Sequence, residues 1–464
     1  MLRRSLIISS SALLTAACAG TAPLAETPDL NAPAALAAAE RVETGAPAAD
    51  WVASFRDTRL EALVAEAMEA NPDIRAAAAS LDAARASARS ANAARLPSLD
   101  ASTSVTERDA EPAGATTSWS LGADVSWQAD VWGRLSNQAR AGALSAEAAQ
   151  ADFYGARLSI AGAVAQSWFA VIEARQQTAL ARRDVTARED QLEIVDRRFR
   201  RGVARSSDVR TARSALATSR ATLASRERAE AAARRALEAL LGRYPGAAIE
   251  AAETLPEIGP TPALVSPGVL LERRPDVAAA ELRLAAAGFS AEAARKALYP
   301  RLNLSGGISS AASDPGDLFD TDALIETVTA SVLAPIFRGG ALRAERDRAR
   351  AEARRQAARY VSTVLAAWRE TEDAVFSEDV LATRLEQLST AREEAQAALE
   401  LVERQYASGV ATIFELIDAQ TRLISAESQL IAARRERADN RVSLHLALAG
   451  DFAAGGGLRP ETKN

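Results

Sequence analysis

The chain has 464 residues, of which 48% are hydrophobic and only 5% aromatic. Much of the apolar content is alanine, which has the highest helix propensity and allows helices to pack closely. The net charge of −6 and the lack of a basic cluster on a groove-reading motif argue against nucleic acid as a partner.

Residues 1–17 predict a signal peptide, because a short apolar run that cannot span a membrane ends in the small residues 15–17. The single cysteine, Cys18, follows at the cut and resembles the acylated cysteine of a bacterial lipobox, although Thr15 stands where the lipobox has leucine. We expect lipidation at Cys18, since an unpaired exported thiol has few other uses. The alternative is an ordinary secretory signal with an incidental cysteine. Ala19 after the cysteine favours sorting to the outer membrane.

Two proline-bounded helical stretches indicate that the chain is a duplication. A lipidated tether over 18–50, rich in Ala and Pro, comes before them. The stretches run from 72 to 97 and from 275 to 300, with the same spacing, and each leads into an alternating pattern. We therefore predict a first repeat over 51–242, a proline-rich linker over 243–267, a second repeat over 268–450 and a loose tail over 451–464.

The alternating stretches predict membrane strands. Polar and apolar residues alternate strictly over 118–127, and weaker partners give β-hairpins at about 97–130 and 300–337, with a loop over 107–114. Each strand has about ten residues, which suits a tilted membrane span of roughly 9–11 residues. In the second hairpin the alternating positions are Leu302, Leu304, Gly306, Ile308, Val328, Ala330, Val332, Ala334 and Ile336.

Four membrane strands cannot close a barrel, since bacterial barrels begin at about eight strands. An open edge in lipid would leave backbone groups unpaired, at several kcal/mol each. Several chains must therefore combine their strands. Two chains would supply eight strands and three would supply twelve, and this argument leaves both possible.

Two very long amphipathic helices follow the hairpins. Neither 134–201 nor 342–408 contains a proline, and each would extend on the order of 100 Å. Each ends in an aromatic-x-x-Gly-Val-Ala turn, where Gly202 and Gly409 suit the positive φ that reverses a helix. Return helices are predicted over 206–241 and 412–448.

Several of these stretches are specific enough to carry a family resemblance. They are Trp51 with Phe55-Arg56-Asp57, Asn71-Pro72-Asp73-Ile74, Leu271-Glu272-Arg273-Arg274-Pro275-Asp276-Val277, Pro335-Ile336-Phe337-Arg338-Gly339-Gly340 and the two glycine turns. Together they resemble the TolC-like outer membrane factor family, and the lipobox resembles that of its NodT-type lipoprotein branch, which serves resistance-nodulation-division (RND) drug efflux.

The resemblance implies a mainly α protein with membrane β structure, found in the outer membrane of a Gram-negative bacterium and extending into the periplasm. It implies a homotrimer in which four strands per chain form a 12-stranded transmembrane β-barrel, continued by a long α-helical barrel. Such a trimer is a passive exit duct. Its periplasmic tips dock on a membrane-fusion adaptor that links it to an inner-membrane RND transporter.

The resemblance also assigns roles to residues near the turns. Tyr406 falls on the tip tyrosine that helps close the pore, Asp208 on its acidic partner, and Glu415 and Asp418 on acidic rings at the constriction. Three copies of those rings in a narrow lumen would select cations, whereas the alternative is solvated helix faces beside a turn. Ala411 stands where some members carry a tip arginine. The turn residues expected to meet the adaptor are Gly202, Val203, Gly409 and Val410.

Other functional classes predict different features. An enzyme is disfavoured, because the only histidine, His445, lies between two leucines on a helix and no cofactor or metal motif is present. A non-conducting periplasmic coiled-coil scaffold would make the hairpins soluble, but Trp119 and Trp127 suit interfacial belts one span apart. An outer-membrane channel for an ABC-type secretion exporter is the second alternative.

Overall fold

The computed structural model describes residues 36–37, 51–112, 114–320 and 324–448. The predicted signal peptide, Cys18, all of the tether except 36–37, and the tail over 451–464 lie outside the described residues. The described helices are α1 (Thr58–Ala70), α2 (Pro72–Ala93), α3 (Arg134–Arg200), α4 (Ser206–Leu240), α5 (Pro267–Arg273), α6 (Pro275–Lys296), α7 (Ala341–Ser408) and α8 (Ile413–Ala447). The strands are β1 (Ser98–Ala110), β2 (Gly114–Ala129), β3 (Arg301–Ala312) and β4 (Ile325–Leu333).

One order of elements occurs twice along the chain. A helix of 22 residues is followed by two strands, a very long helix and a return helix of 35 residues, first from α2 to α4 and then from α6 to α8. The helix α3 has 67 residues and α7 has 68. By length and composition α3 could cross a membrane, but half of its most apolar stretch is buried in the protein, as in a core helix.

A four-stranded antiparallel sheet, in the order β1-β2-β3-β4, joins the two hairpins within one structural unit, Arg95–Ala141 with Ala287–Arg354. The central pairing of β2 with β3 places Trp127 opposite Leu304. Within the described chain β1 and β4 each pair on one side only. Val328 and Val332 on β4 are 90% and 70% exposed, as expected for strands whose apolar side chains are covered by something outside the chain.

The alternating pattern misplaced two strand ends. The loop predicted over 107–114 is mostly strand, since β1 continues to Ala110. Backbone hydrogen bonds between strands also pair polar residues, and a pattern of alternating apolar residues does not reveal these. At the other end β4 stops at Leu333, so Ala334 and Ile336 lie beyond it. Pro335 has no N–H to donate to a ladder, which ends the strand there.

The second unit takes the remaining described residues, 36–37, 51–94, 142–286 and 355–448, and holds the main core. Trp168 and Phe169 of α3 are fully buried in it, with Phe55 5.3 Å from Phe169 between ring centroids. The indole N–H of Trp168 donates to Asp57 at 2.8 Å, and the same carboxylate caps the N-terminus of α1. The core therefore fixes the start of the first repeat against the middle of its longest helix.

Side-chain contacts hold the first turns of the two proline-bounded helices, α2 and α6. The Asn71 side chain accepts the N–H groups of Asp73 and Ile74 at 2.8 and 3.1 Å, and its amide donates to the Leu240 carbonyl at 2.7 Å. In the second repeat the guanidinium of Arg274 is 9% exposed and pairs with Asp276 and with Glu370 of α7, both at 2.8 Å. Each proline-bounded helix is thus tied at its first turn to a distant helix.

Candidate functional site at the two helical turns

The two turns that end α3 and α7 have the same backbone geometry. Gly202 and Gly409 adopt φ values of 76° and 84°, which confirms the predicted positive φ. The N–H of Val203 donates to the Arg198 carbonyl at 2.9 Å, and the N–H of Val410 donates to the Gln405 carbonyl at 2.9 Å. Both are Schellman-type closures, in which a glycine in the left-handed region lets the chain satisfy the last helical carbonyls.

Tyr406, in the last turn of α7, is packed inside its own chain and only 9% exposed. A small apolar cluster surrounds it and includes residues from α3, α4, α7 and α8. Its buried members are Val195, Val209, Ala212, Leu399, Tyr406, Ile413, Leu416, Ala419 and Leu423. The cluster holds the ends of all four helices together, so the position of Tyr406 depends on how the two turns pack.

Arg198 of α3 makes side-chain contacts with Tyr406. Its guanidinium carbon lies 4.6 Å from the centroid of the Tyr406 ring. One terminal nitrogen donates to the carbonyl oxygens of Tyr406 and Ala407, at 3.0 and 3.1 Å. Sequence analysis did not single out Arg198. Its signal in the sequence is only an arginine four residues before Gly202, in a turn where the neighbouring residues are also arginines.

Asp208, the acidic residue paired with Tyr406 by the family resemblance, caps its own helix. Its carboxylate accepts the backbone N–H of Arg205 at 3.0 Å and the hydroxyl of Ser207 at 3.2 Å, in the first turn of α4. Within the described chain no hydrogen bond joins it to Tyr406. The charge therefore sits beside the turn and stabilises the N-terminus of α4, where negative charge is favoured.

Glu415 forms a capping box with Thr412 at the start of α8. The Thr412 backbone N–H and hydroxyl donate to one carboxylate oxygen at 2.5 and 2.9 Å, and the Glu415 N–H donates back to the Thr412 hydroxyl at 3.3 Å. These hydrogen bonds hold the pKa of Glu415 below its ordinary value. The exposed carboxylate is therefore ionised wherever an ordinary glutamate is ionised.

Asp418, one turn further along α8, pairs with a cation of the same helix. Its carboxylate accepts from the Nε of Arg422 at 2.8 Å, and both side chains are mostly exposed. An i,i+4 pair of this kind contributes little to stability, but it offsets part of the negative charge of Asp418. Of the two acids assigned to the rings, Glu415 is the one without a basic side chain against it in the described structure.

Exposed apolar side chains lie on both turns. Val203 and Val410 are 73% and 76% exposed, and Phe199 and Phe414, in the same turns, are also exposed. Large apolar groups exposed together on a surface are typical of a protein contact site. Sequence analysis named the two valines but not Phe199 and Phe414, which follow the same pattern. No group of three His, Cys, Asp or Glu side chains that could hold a metal occurs in the described part of the chain.

Comparison with known proteins shows which family has this architecture. The family model for outer membrane efflux proteins matches residues 63–243 and 267–450. The pyoverdine export outer membrane protein OpmQ of Pseudomonas aeruginosa is 32% identical, over 97% of this chain and 98% of its own length. The probable outer membrane lipoprotein SilC of Salmonella typhimurium is 27% identical, over 97% of this chain and 100% of its own. The structure of the outer membrane protein VceC from Vibrio cholerae superposes with a TM-score of 0.78 at 26% identity, covering 88% of this chain and 100% of that one.

The predicted fold class, function and localisation are confirmed by these similarities. The chain has the fold of one protomer of a trimeric channel that combines an α-helical barrel with a β-barrel of four strands per chain. It lies in the outer membrane of a Gram-negative bacterium and extends into the periplasm, as the exit duct of a tripartite efflux system. Channels of this kind are trimeric and work with an adaptor and an inner-membrane pump, and its relatives are channels and not enzymes. With both repeats matched, the chain belongs to the outer membrane efflux protein family.

Proposed function

We propose that this chain is the lipid-anchored exit duct of an RND-type efflux system and that its two helical turns form the periplasmic gate. Conduction is passive, so the energy comes from the partner pump and the channel itself catalyses nothing. In the gate Tyr406 restricts the opening, Asp208 supports its turn, and Glu415 and Asp418 supply the negative charge. Gly202, Val203, Gly409 and Val410 meet the adaptor.

The observation that carries the gate is the contrast between the two turns. They share a backbone geometry, yet the aromatic residue of the second turn, Tyr406, is buried and held by Arg198, whereas its counterpart Phe199 is 43% exposed. A buried aromatic at a glycine turn cannot move without separating the helix ends packed on it. Moving Tyr406 therefore requires the two turns to separate, which is the kind of two-state change that a gate needs.

The test of the gate is single-channel conductance in planar lipid bilayers with the purified trimer. Tyr406→Ala should raise the conductance of the closed channel, because it removes the ring that the turns pack around. Phe199→Ala is the matched control, since it truncates an aromatic residue three positions before the other glycine and should leave the closed conductance unchanged. Equal conductances of the wild type and Tyr406→Ala would refute a gate at this turn.

The charge of the gate gives a second measurement on the same channels. Replacing Glu415 with glutamine should lower the preference for potassium over chloride in a salt gradient, because this carboxylate faces no basic side chain. Asp418→Asn should have the smaller effect, since Arg422 already offsets its charge. Because its hydrogen bonds to Thr412 hold the pKa of Glu415 below the ordinary value, the wild-type preference should persist to a lower pH than an unbonded glutamate would allow. A preference unchanged in both variants would place the acids outside the conducting path.

Lipid attachment and partner choice have their own tests. SilC, a similar chain over its whole length, is named a probable outer membrane lipoprotein, which supports acylation of Cys18. Labelling with radioactive palmitate should mark the wild type but not Cys18→Ser.

Val203→Asp with Val410→Asp should abolish binding of an RND adaptor while leaving bilayer conductance intact. Binding only to the adaptor of an ABC exporter would instead favour the secretion channel.

A further inference from the structure

The guanidinium of Arg198 connects the two helical turns within one chain. Its backbone carbonyl accepts the N–H groups of Val203 and Ala204, at 2.9 and 3.4 Å, and so closes the first turn. Its side chain reaches the second turn, where it donates to the carbonyls of Tyr406 and Ala407 and lies 4.6 Å from the Tyr406 ring centroid. One residue therefore takes part in the closure of both turns.

Arg198 adds a side-chain donor at the end of α7. The Tyr406 carbonyl also accepts the Gly409 N–H at 3.1 Å, and the last carbonyls of a helix carry the negative end of the helix dipole, which favours a nearby cation. The last turn of α7 contains no basic residue of its own. Arg198 supplies the cation from α3, and its planar guanidinium can lie on an aromatic face while its N–H groups donate to carbonyl oxygens. These are the contacts by which the first turn holds both the backbone and the ring at position 406.

Two neighbouring arginines, Arg197 and Arg200, make different contacts. Arg197 pairs with Glu193 of its own helix at 3.4 Å, and Arg200 pairs with Asp196 of its own helix at 2.5 Å. Both side chains are largely exposed, at 59% and 77%. Exposed pairs within one helix have little influence on a second helix. Arg198 therefore differs from adjacent residues of the same charge by its contacts and not by its charge.

We propose that Arg198 is the positioning residue of the gate: it holds Tyr406 in the closed conformation by tying the second turn to the first within the same protomer. The proposal rests on the gate proposed above and names the contact that keeps it closed. Separation of the turns breaks the ring contact and both hydrogen bonds together.

The experiment compares Arg198→Met with Arg200→Met in planar bilayers. Each variant loses one positive charge near the first turn, but only the first loses the contacts with Tyr406. We expect Arg198→Met to raise the open probability of the isolated trimer roughly tenfold, in line with loss of one cation–π contact and charge-assisted hydrogen bonding, and Arg200→Met to leave it unchanged. Arg198→Lys keeps the charge but loses the planar donor pair, so it should restore only part of the closure.

A double variant separates positioning from a general structural role. If Arg198 acts through the Tyr406 ring, Arg198→Met should change the open probability less in the Tyr406→Ala channel than in the wild type. The ring contact is already absent there, and only the hydrogen bonds to the backbone carbonyls of residues 406 and 407 remain to be lost. The melting temperature of the trimer is measured alongside and should differ little between Arg198→Met and Arg200→Met. Should Arg198→Met fail to assemble, the open probabilities of Arg198→Lys and Arg200→Lys are compared instead, and only Arg198→Lys should open more often than the wild type.

Two results would overturn the proposal and tell its failure from that of the gate. If Tyr406→Ala opens the channel but Arg198→Met behaves like Arg200→Met, the gate stands and Arg198 does not hold it. If Tyr406→Ala has no effect, the gate is wrong and the role of Arg198 in closing it is wrong as well. Additive effects in the double variant would also contradict it, since they would show that Arg198 acts independently of Tyr406.

Discussion

Replacing Glu378 by glutamine should destabilise the helical unit far more than a change of one surface charge. Glu378 of α7 and Arg441 of α8 form an ion pair at 2.7 Å, and their side chains are only 4% and 5% exposed. Asn440 donates to the other oxygen of Glu378 at 2.9 Å. Arg441 also donates to the carbonyls of Gly259 and Pro260 in the linker, both at 2.9 Å.

The size of the effect follows from what glutamine leaves unpaired. Its amide keeps one acceptor oxygen, but its NH₂ group then faces either Arg441 or Asn440, which are both donors. Removing one partner of a buried ion pair costs about 3–5 kcal/mol, because the other charge remains buried without compensation. For a cooperative unit as large as this protomer, that corresponds to a fall of roughly 3–5 °C in melting temperature.

The matched control lies on the same two helices. Arg384 of α7 pairs with Glu436 of α8, and the two side chains are 49% and 52% exposed. An exposed pair contributes about 0.2–1 kcal/mol, so Glu436→Gln should lower the melting temperature by no more than about 1 °C. Circular dichroism of the detergent-purified trimer follows the loss of helix in each variant. The double replacement of Glu378 and Arg441 by methionine should recover most of the stability, because it removes both buried charges.

Equal melting temperatures for Glu378→Gln and Glu436→Gln would refute this reasoning, since burial would then have no influence on the cost of losing a partner. A double methionine variant less stable than Glu378→Gln would also contradict it. That result would mean that the linker carbonyls, and not the uncompensated charge, account for the stability. The linker would then depend on Arg441 as a donor.

Two further predictions concern other positions of the helical unit. Gly242→Ala should cost several kcal/mol in unfolding free energy, because φ is 70° and the new Cβ would lie 2.7 Å from the Ala70 carbonyl oxygen. Gly202→Ala should cost only about 1–2 kcal/mol, because φ is 76° but the new Cβ would meet no other atom. Urea unfolding measures both costs, and equal values would contradict this prediction. Burial, followed by the charge of Arg441, lowers the pKa of His445 to about 4. The unfolded chain therefore binds the proton first, so stability should be complete above pH 6.5 and fall as the pH drops toward 4, by on the order of 3 kcal/mol. His445→Phe should remove this part of the pH dependence, and an unchanged pH profile would show that another group causes it.

The features that local sequence determines were predicted closely. The long helix α3 was expected over 134–201 and runs from Arg134 to Arg200. The amphipathic pattern continues through this stretch and no proline interrupts it, so nothing ends the helix before the glycine turn. The positive φ values at Gly202 and Gly409 follow from the same local logic, since glycine enters the left-handed region without steric cost. The number of strands was also readable, and with it the need for several chains in one barrel.

The candidate site was predictable only in part. A family resemblance assigned Tyr406, Asp208, Glu415 and Asp418 to the region of the turns, and in the described chain the Asp208 carboxylate caps α4. The contact with Arg198 joins residues 208 positions apart in the chain. No periodicity in either segment marks such a pair. The turn contains several arginines, and only packing decides which of them faces the other helix.

The sequence by itself determined the repeats, the helix and strand types and the glycine turns, because each depends on residues within a few positions of one another. Only the tertiary structure decided where the strands end and what each arginine contacts, as in the pairs of Arg198 with Tyr406, Arg441 with Glu378, and Arg274 with Glu370. The physical reason is that a charged side chain pairs with a group that packing brings within hydrogen-bond distance. Which group this is depends on the register of helices that are far apart in the sequence, and a local sequence pattern does not encode that register.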